Sequence, residues 1–115
     1  MKVSDLIKKI PAKVISGMKH LDKNITGAYV SDLLSDVIGN AKEGNIWITL
    51  QTHQNIIAVA SLKDLAAIIL VKGLEPNTEV IQVAEKENIP ILSTDQNCFE
   101  ITGYIYNILK ENKIV

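Results

Sequence analysis

Apolar residues occur along the chain in short segments whose spacing alternates between that of a helix and that of a strand. The first segment, Val3 to Ile10, has helical spacing and ends at Pro11, which disfavours helix in the residue before it. Runs rich in β-branched residues then predict five strands, at residues 13–17, 25–30, 46–50, 66–71 and 91–93. Segments with helical spacing are found between and after them, at residues 33–38, 56–60, 78–88 and 99–109.

This alternation of strands and helices predicts the fold class. We expect an α/β domain in which a mainly parallel sheet of about four to five strands is flanked by helices. The nearly continuous apolar run at residues 66–71 is typical of a central strand that is covered on both faces. The chain has 115 residues and 47% apolar content, enough for one hydrophobic core, so we expect a single domain over residues 1–115.

Composition and charge argue against several classes of partner. The net charge is −1 and all 12 basic residues are lysine, so no arginine is present to bind phosphate or guanine in a bidentate manner, and nucleic acid is not expected to bind. No apolar run approaches the roughly 20 residues of a membrane span. The single cysteine, Cys98, cannot form an internal disulfide, and the charged first residues do not resemble a secretion signal, so we expect a cytoplasmic protein.

One cluster of polar residues lies between the predicted strand at 46–50 and the helix that follows. In parallel sheets the carboxyl ends of strands and the helix N-termini beside them are where ligands bind. Alternatively, Thr52 or His53 caps the helix and completes the turn. The candidate binding residues of this cluster are Thr49, Gln51, Thr52, His53 and Asn55.

A second candidate segment comes at the end of the strand at 25–30 and is expected to line the same edge of the sheet. Its candidate binding residues are Gly27, Tyr29, Ser31 and Asp32. The alternative is structural: a glycine required by the backbone, and Ser31-Asp32 as the cap of the next helix, just as Thr94-Asp95 is expected to cap the last one.

Neither metal binding nor covalent catalysis is expected from the sequence. Asp32 and Asp36 are four residues apart and lack a third oxygen ligand. His20, His53 and Cys98 match no zinc-site spacing, and the expected role of Cys98 is packing near the start of the last helix. We therefore assign no catalytic residue, no metal ligand and no cofactor.

The second half of the chain carries a family resemblance. The stretch Ala67-Ile68-Ile69-Leu70-Val71-Lys72-Gly73-Leu74-Glu75-Pro76, followed by Ile89-Pro90-Ile91-Leu92-Ser93-Thr94, resembles the DRTGG domain family and is similar to the N-terminal domain of bacterial HPr kinase/phosphorylase. Residues 27–37 and 47–56 look like the corresponding parts of small stand-alone members. The resemblance implies the fold of that N-terminal domain and a role in regulation, assembly or ligand sensing.

The residues that give the family its name are mostly replaced. By our alignment the Asp-Arg pair falls at His53-Gln54 and the Thr-Gly-Gly at Val71-Lys72-Gly73, so only Gly73 is retained. Gly73 is the last candidate binding residue, although turn geometry alone also accounts for it. The kinase activity of the larger relatives requires a P-loop, and the chain contains none.

Three functions remain open at this point. The first is a non-catalytic regulatory, ligand-sensing or scaffold module that binds a small polar or phosphorylated ligand. The second is a minimal enzyme or phosphate-handling protein that uses His53 with Thr49, Thr52 or Asp32. The third is a pure interaction subunit with a protein partner. Because Ile and Val are abundant in so small a chain, we also expect an apolar patch that is buried in a homodimer or a larger homo-oligomer. Alternatively, the core takes up all of these residues.

Overall fold

A five-stranded sheet in the order β1-β5-β4-β3-β2 forms the centre of the molecule. The computed structural model describes residues 1–115. The strands are β1 (Ala12–Ser16), β2 (Gly27–Val30), β3 (Asn45–Thr49), β4 (Ala67–Leu70) and β5 (Ile91–Thr94). The helices are α1 (Val3–Ile7), α2 (Leu34–Asn40), α3 (Asn55–Leu62), α4 (Thr78–Lys86) and α5 (Cys98–Glu111). This is the α/β fold that the alternating pattern predicts, and β4 is the central strand.

The sheet is mixed, because β1 runs antiparallel to β5 whereas β2 to β5 are parallel to one another. No helix lies between β1 and β2, so β1 is not part of a β-α-β crossover. Side chains hold β1 in place: the Ser16 hydroxyl donates to the Ile89 carbonyl at 2.8 Å, and the Thr94 hydroxyl donates to the Pro11 carbonyl at 2.7 Å.

Helices cover both faces of the sheet and enclose two cores. Helices α2, α3 and α4 pack on one face, around Trp47, Ile68 and Leu70. Helices α1 and α5 pack on the other, around Ile48 and Ile69. Consecutive parallel strands are neighbours in space, so successive right-handed crossovers place α2, α3 and α4 on the same face. None of the helices has the length and apolar character of a membrane span.

All four parallel strands end at one edge of the sheet, which we call the carboxyl edge. The chain leaves β4 towards α4 on one face of the sheet and leaves β5 towards α5 on the other. Two backbone bonds of 2.8 Å fix the turn after β4 to the β5 strand end and the loop beyond it, from Lys72 N–H to the Gln96 carbonyl and from Gly73 N–H to the Thr94 carbonyl. The carboxyl edge is therefore built from connected loops.

The expected caps of two helices are corrected by the structure. Helix α5 begins at Cys98 and is capped by Asn97, whose side chain accepts from Glu100 N–H at 2.9 Å, rather than by Thr94-Asp95. Helix α2 has Leu33 at its N-cap position and no side-chain cap, because Asp32 bonds to the next strand instead. In both cases a predicted cap residue takes part in contacts at the carboxyl edge.

Candidate ligand site at the carboxyl edge

Asp32 connects the ends of β2 and β3. Its Oδ1 accepts hydrogen bonds from the Thr49 hydroxyl and from the Leu50 N–H, each at 2.9 Å. Thr49 is buried as the last residue of β3, so this bond satisfies a hydroxyl that has little access to water. Asp32 thus fixes the start of the β3–α3 loop.

Gln51 adds two further bonds to the same pair of strand ends. Its side-chain amide donates to the Asp32 carbonyl at 2.9 Å, and its N–H donates to the Thr49 hydroxyl oxygen at 3.2 Å. Three of the predicted binding residues, Asp32, Thr49 and Gln51, therefore form one hydrogen-bonded network.

His53 lies at the start of α3. Its Nδ1 accepts a hydrogen bond of 3.1 Å from the N–H of Asn55, the first residue of the helix. This bond satisfies one of the N–H groups that have no partner within the helix, which is the capping role left open by the sequence. His53 is exposed, and Asn55 bonds to it through its backbone N–H rather than its side chain.

A groove of about 640 Å³ opens between the β3–α3 loop and the β4–α4 loop. Glu75 and Glu79 give it negative charge, and the Glu75 carboxylate pairs with the Lys13 ammonium at 2.9 Å. That pairing raises the pKa of Lys13. The polar lining comprises Gln51, Thr52, His53, Gln54, Glu75, Asn77 and Glu79.

Asn77 is the N-cap residue of α4 at the second loop, whereas His53 lies one residue before Gln54, the N-cap residue of α3. The Asn77 side-chain oxygen accepts from Val80 N–H at 3.0 Å and so caps α4. The groove therefore lies between two capped helix starts and has walls of fixed geometry.

Tyr29 and Ser31 take part in a neighbouring cluster. The Tyr29 hydroxyl donates to Asp36 Oδ1 at 2.8 Å, and the Asn40 amide donates to the same oxygen at 2.9 Å. The hydroxyls of Ser31 and Tyr29 together lower the pKa of the Asp36 carboxyl. The Ser31 carbonyl accepts from the Trp47 indole N–H at 2.8 Å, so Ser31 helps to position the core tryptophan.

The groove lining does not include Gly27, Asp32 or Asp36. Gly27 is the first residue of β2, at the opposite edge, where an added Cβ would lie 3.3 Å from the Asn45 amide nitrogen. Asp32 bonds to the end of β3 and Asp36 to Tyr29, so the two carboxylates have different partners. No group of three or more His, Cys, Asp or Glu side chains converges in the structure.

The sequence profile of the DRTGG domain matches residues 5–108. The chain belongs to the DRTGG domain family. A similar solved structure contains the CBS and DRTGG domains of the regulatory region of Clostridium perfringens pyrophosphatase, complexed with its activator diadenosine tetraphosphate. The similarity has a TM-score of 0.68 and 19% identity and covers 90% of this chain but 45% of that one, so this chain spans less than half of the pyrophosphatase region. No curated protein sequence matches.

The positions aligned with the family's naming residues flank the groove in this DRTGG domain. His53 and Gln54 lie in its lining, and Lys72 and Gly73 lie in the turn that leads to its other wall. Gly73 has a φ of 71°, and an added Cβ would lie 3.2 Å from Asp95 Oδ1. A left-handed turn close to a neighbouring loop explains why glycine is retained here.

Four polar groove residues of this DRTGG domain were not among the predicted binding residues: Gln54, Glu75, Asn77 and Glu79. Glu79 lies within the helix predicted at residues 78–88. The sequence contained a signal for the residues after β4. Both β3 and β4 were predicted as strands of a parallel sheet, and the loops that follow neighbouring parallel strands lie side by side.

Proposed function

We propose that this DRTGG domain is a non-catalytic regulatory module that binds a small polar ligand in the carboxyl-edge groove and self-associates. Family membership supports a regulatory role, since the domain of similar fold belongs to the regulatory region of a pyrophosphatase that binds an activator. The observation that carries the proposal is the groove, an open volume of about 640 Å³ between two capped helix starts.

The charge of the groove narrows the class of ligand. Its lining contains the carboxylates of Glu75 and Glu79 and no lysine. Carboxylates accept hydrogen bonds from amino groups and repel phosphates. We therefore favour a ligand that inserts a donor-rich end, such as a nucleobase amino group or an amine. If the ligand is phosphorylated, its phosphate would lie outside these carboxylates, towards Lys13 at the rim.

The bonding of the polar side chains supports binding over catalysis. A general base needs an unprotonated ring nitrogen close to a nucleophile. His53 Nδ1 already accepts from Asn55 N–H, so in the neutral ring the proton is on Nε2 and that nitrogen can only donate. The Thr49 hydroxyl donates to Asp32, and Asp32 bonds to Thr49 and Leu50 rather than to His53. Thr49, Asp32 and His53, three of the residues proposed for a minimal enzyme, thus hold the loops together.

Thermal unfolding in the presence of matched compounds tests this function. The panel pairs nucleosides with their phosphates, adenosine with AMP and cytidine with CMP, and adds diadenosine tetraphosphate, amines and amino acids. We expect at least one compound to raise the melting temperature in a dose-dependent manner, and Glu79→Gln to weaken that effect.

Leu62→Glu is the matched control, because Leu62 is an exposed residue of α3 that does not line the groove. It should leave the ligand-induced shift unchanged. The proposal is wrong if no compound stabilises the protein. It is also wrong if the protein shows turnover that His53→Ala abolishes while the fold is retained.

A further inference from the structure

The two lateral edges of the sheet, formed by the outer strands β1 and β2, differ in their protection against pairing with another strand. Strand β1 is preceded by Pro11, carries the exposed Lys13, and has a bulge between Val14 and Ser16. Proline, lysine and bulges are the devices that keep edge strands from pairing. Strand β2, with the sequence Gly-Ala-Tyr-Val, has a regular register and neither charge nor proline. Only the β2 edge is unprotected.

Backbone groups of β2 are available on its outer side. The N–H of Ser31, directly after the strand, donates to the Ile48 carbonyl of β3 at 3.3 Å. Backbone direction alternates along a strand, so Ala28 and Val30 direct their N–H and carbonyl groups away from β3. No strand of this chain lies on that side of β2.

An apolar groove of about 660 Å³ lies next to this edge, between β2 and α5. Helix α5 contacts β2 as well as β3, but Ala28 and Val30, on this face of β2, remain exposed. Phe99 is 88% exposed, Tyr106 54% and Val30 42%. The lining residues, which include Cys98, Thr102 and Gly103, carry no charge.

We propose that this β2–α5 surface, comprising β2, Phe99 and Tyr106, is a homodimer interface in which two β2 strands pair antiparallel about a two-fold axis. The inference rests on the self-association in the proposed function and names its surface. A register centred on Tyr29 places Ala28 opposite the partner's Val30 and forms bonds through both outward-facing residues of each strand. The result is a continuous sheet of ten strands, five from each copy.

The chemistry of the surface favours a second copy over a different partner. A two-fold axis brings equivalent residues close together, so charged residues there would repel their own copies, and this surface has none. The free strand edge selects an extended segment rather than a helix. In the paired arrangement the two β2 strands are neighbours and the two α5 helices lie on the same face of the joint sheet, so the exposed Phe99 and Tyr106 side chains of both copies become buried between them.

The exposed area predicts a reversible dimer. Aromatic side chains bury 150–250 Å² each, so at their observed exposures Phe99 and Tyr106 supply about 280 Å². A standard interface buries roughly 800 Å² from each partner. The strand edge and the flank of α5 add to the aromatic contribution, and we expect a reversible dimer rather than an obligate one.

Light scattering coupled to size-exclusion chromatography, from about 1 to about 200 µM, tests this interface on the whole chain. The wild type should shift from monomer to dimer as concentration rises. Phe99→Glu and, separately, Val30→Lys should remain monomeric, with unchanged circular dichroism. The matched control Leu62→Glu replaces an exposed leucine on α3, away from this surface, and should dimerise like the wild type.

Amide hydrogen exchange gives a readout that does not depend on any variant. In the wild type, exchange at Ala28 and Val30 should slow with concentration while exchange at Lys13 in β1 does not change. A wild type that stays monomeric at all concentrations overturns both self-association and this interface. A dimer without concentration-dependent protection at Ala28 and Val30, or one that persists in both variants, overturns the interface alone. Neither result bears on ligand binding in the carboxyl-edge groove.

Discussion

Asp32 and Thr49 are joined by a hydrogen bond of 2.9 Å between a carboxylate oxygen and a buried hydroxyl, although they are separated by 17 residues in sequence. Through this bond the loop after β2 fixes the end of β3, and Leu50 N–H donates to the same oxygen. The start of the β3–α3 loop, which borders the groove, is thereby held in place by bonds within the protein, and this suits binding without reorganisation.

Removal of the Asp32 carboxylate should destabilise the domain. Asp32→Ala leaves the Thr49 hydroxyl and the Leu50 N–H without their acceptor, and we expect a loss of about 1–2 kcal/mol in the free energy of unfolding. Urea denaturation measures it. Asp32→Asn keeps an acceptor oxygen at the same place and should lose less than half as much; equal losses in the two variants would contradict the assigned bonds.

His53→Ala should cost stability through loss of a cap rather than loss of activity. Without Nδ1, the N–H of Asn55 lacks a protein acceptor, and we expect a decrease of about 0.5–1 kcal/mol. His53→Asn can accept the same N–H, since asparagine side chains bond two residues ahead. Thermal unfolding should therefore give higher melting temperatures for the wild type and for His53→Asn than for His53→Ala.

Gly73→Ala should destabilise the turn that leads to the groove. A φ of 71° costs a residue with a Cβ about 1–2 kcal/mol. The control is Gly39→Ala in α2, where no atom lies within 4 Å of the added Cβ and where alanine should stabilise the helix by about 0.5–1 kcal/mol. Chemical denaturation that shows both substitutions shifting stability in the same direction would refute this explanation.

The Tyr29–Asp36 bond should make part of the stability depend on pH. The pKa of Asp36 is lowered in the folded state, because the Ser31 and Tyr29 hydroxyls favour the charged carboxylate. A lowered pKa contributes stability that is present above the unfolded value and is lost as the pH falls through the folded value. The difference in stability between wild type and Tyr29→Phe should therefore be constant near neutral pH and shrink below about pH 4. Urea denaturation at pH 7 and pH 3 measures this difference.

The order of elements was predictable, because it depends on local patterns. The apolar run at residues 66–71 identified the central strand. The rule that ligands bind at strand ends predicted a site at the segment from Thr49 to Asn55, of which Gln51, Thr52 and His53 line the groove. The DRTGG family was recognised from the turn around Gly73 and the strand at residues 91–93, and the family profile confirms that membership.

Contacts between distant segments could not be predicted in the same way. The sequence around Asp32 is compatible with a helix cap, and only the position of β3 beside β2 makes the Thr49 hydroxyl its partner. The antiparallel direction of β1 likewise depends on bonds to β5 and its flanking residues, such as that from Ser16 to the Ile89 carbonyl. Glu75 and Glu79 were missed because the segment after β4 was interpreted without the loop after β3 that lies beside it.

The most direct test of the account is a nuclear magnetic resonance titration of the labelled domain with the compound from the nucleoside and amine panel that stabilises it most. The account predicts dose-dependent amide shifts at Gln51, His53 and Asn77, which line the groove from both loops. Shifts confined to the opposite edge of the sheet, around Lys23 and Asp64, or no shifts at saturating concentration, would contradict it.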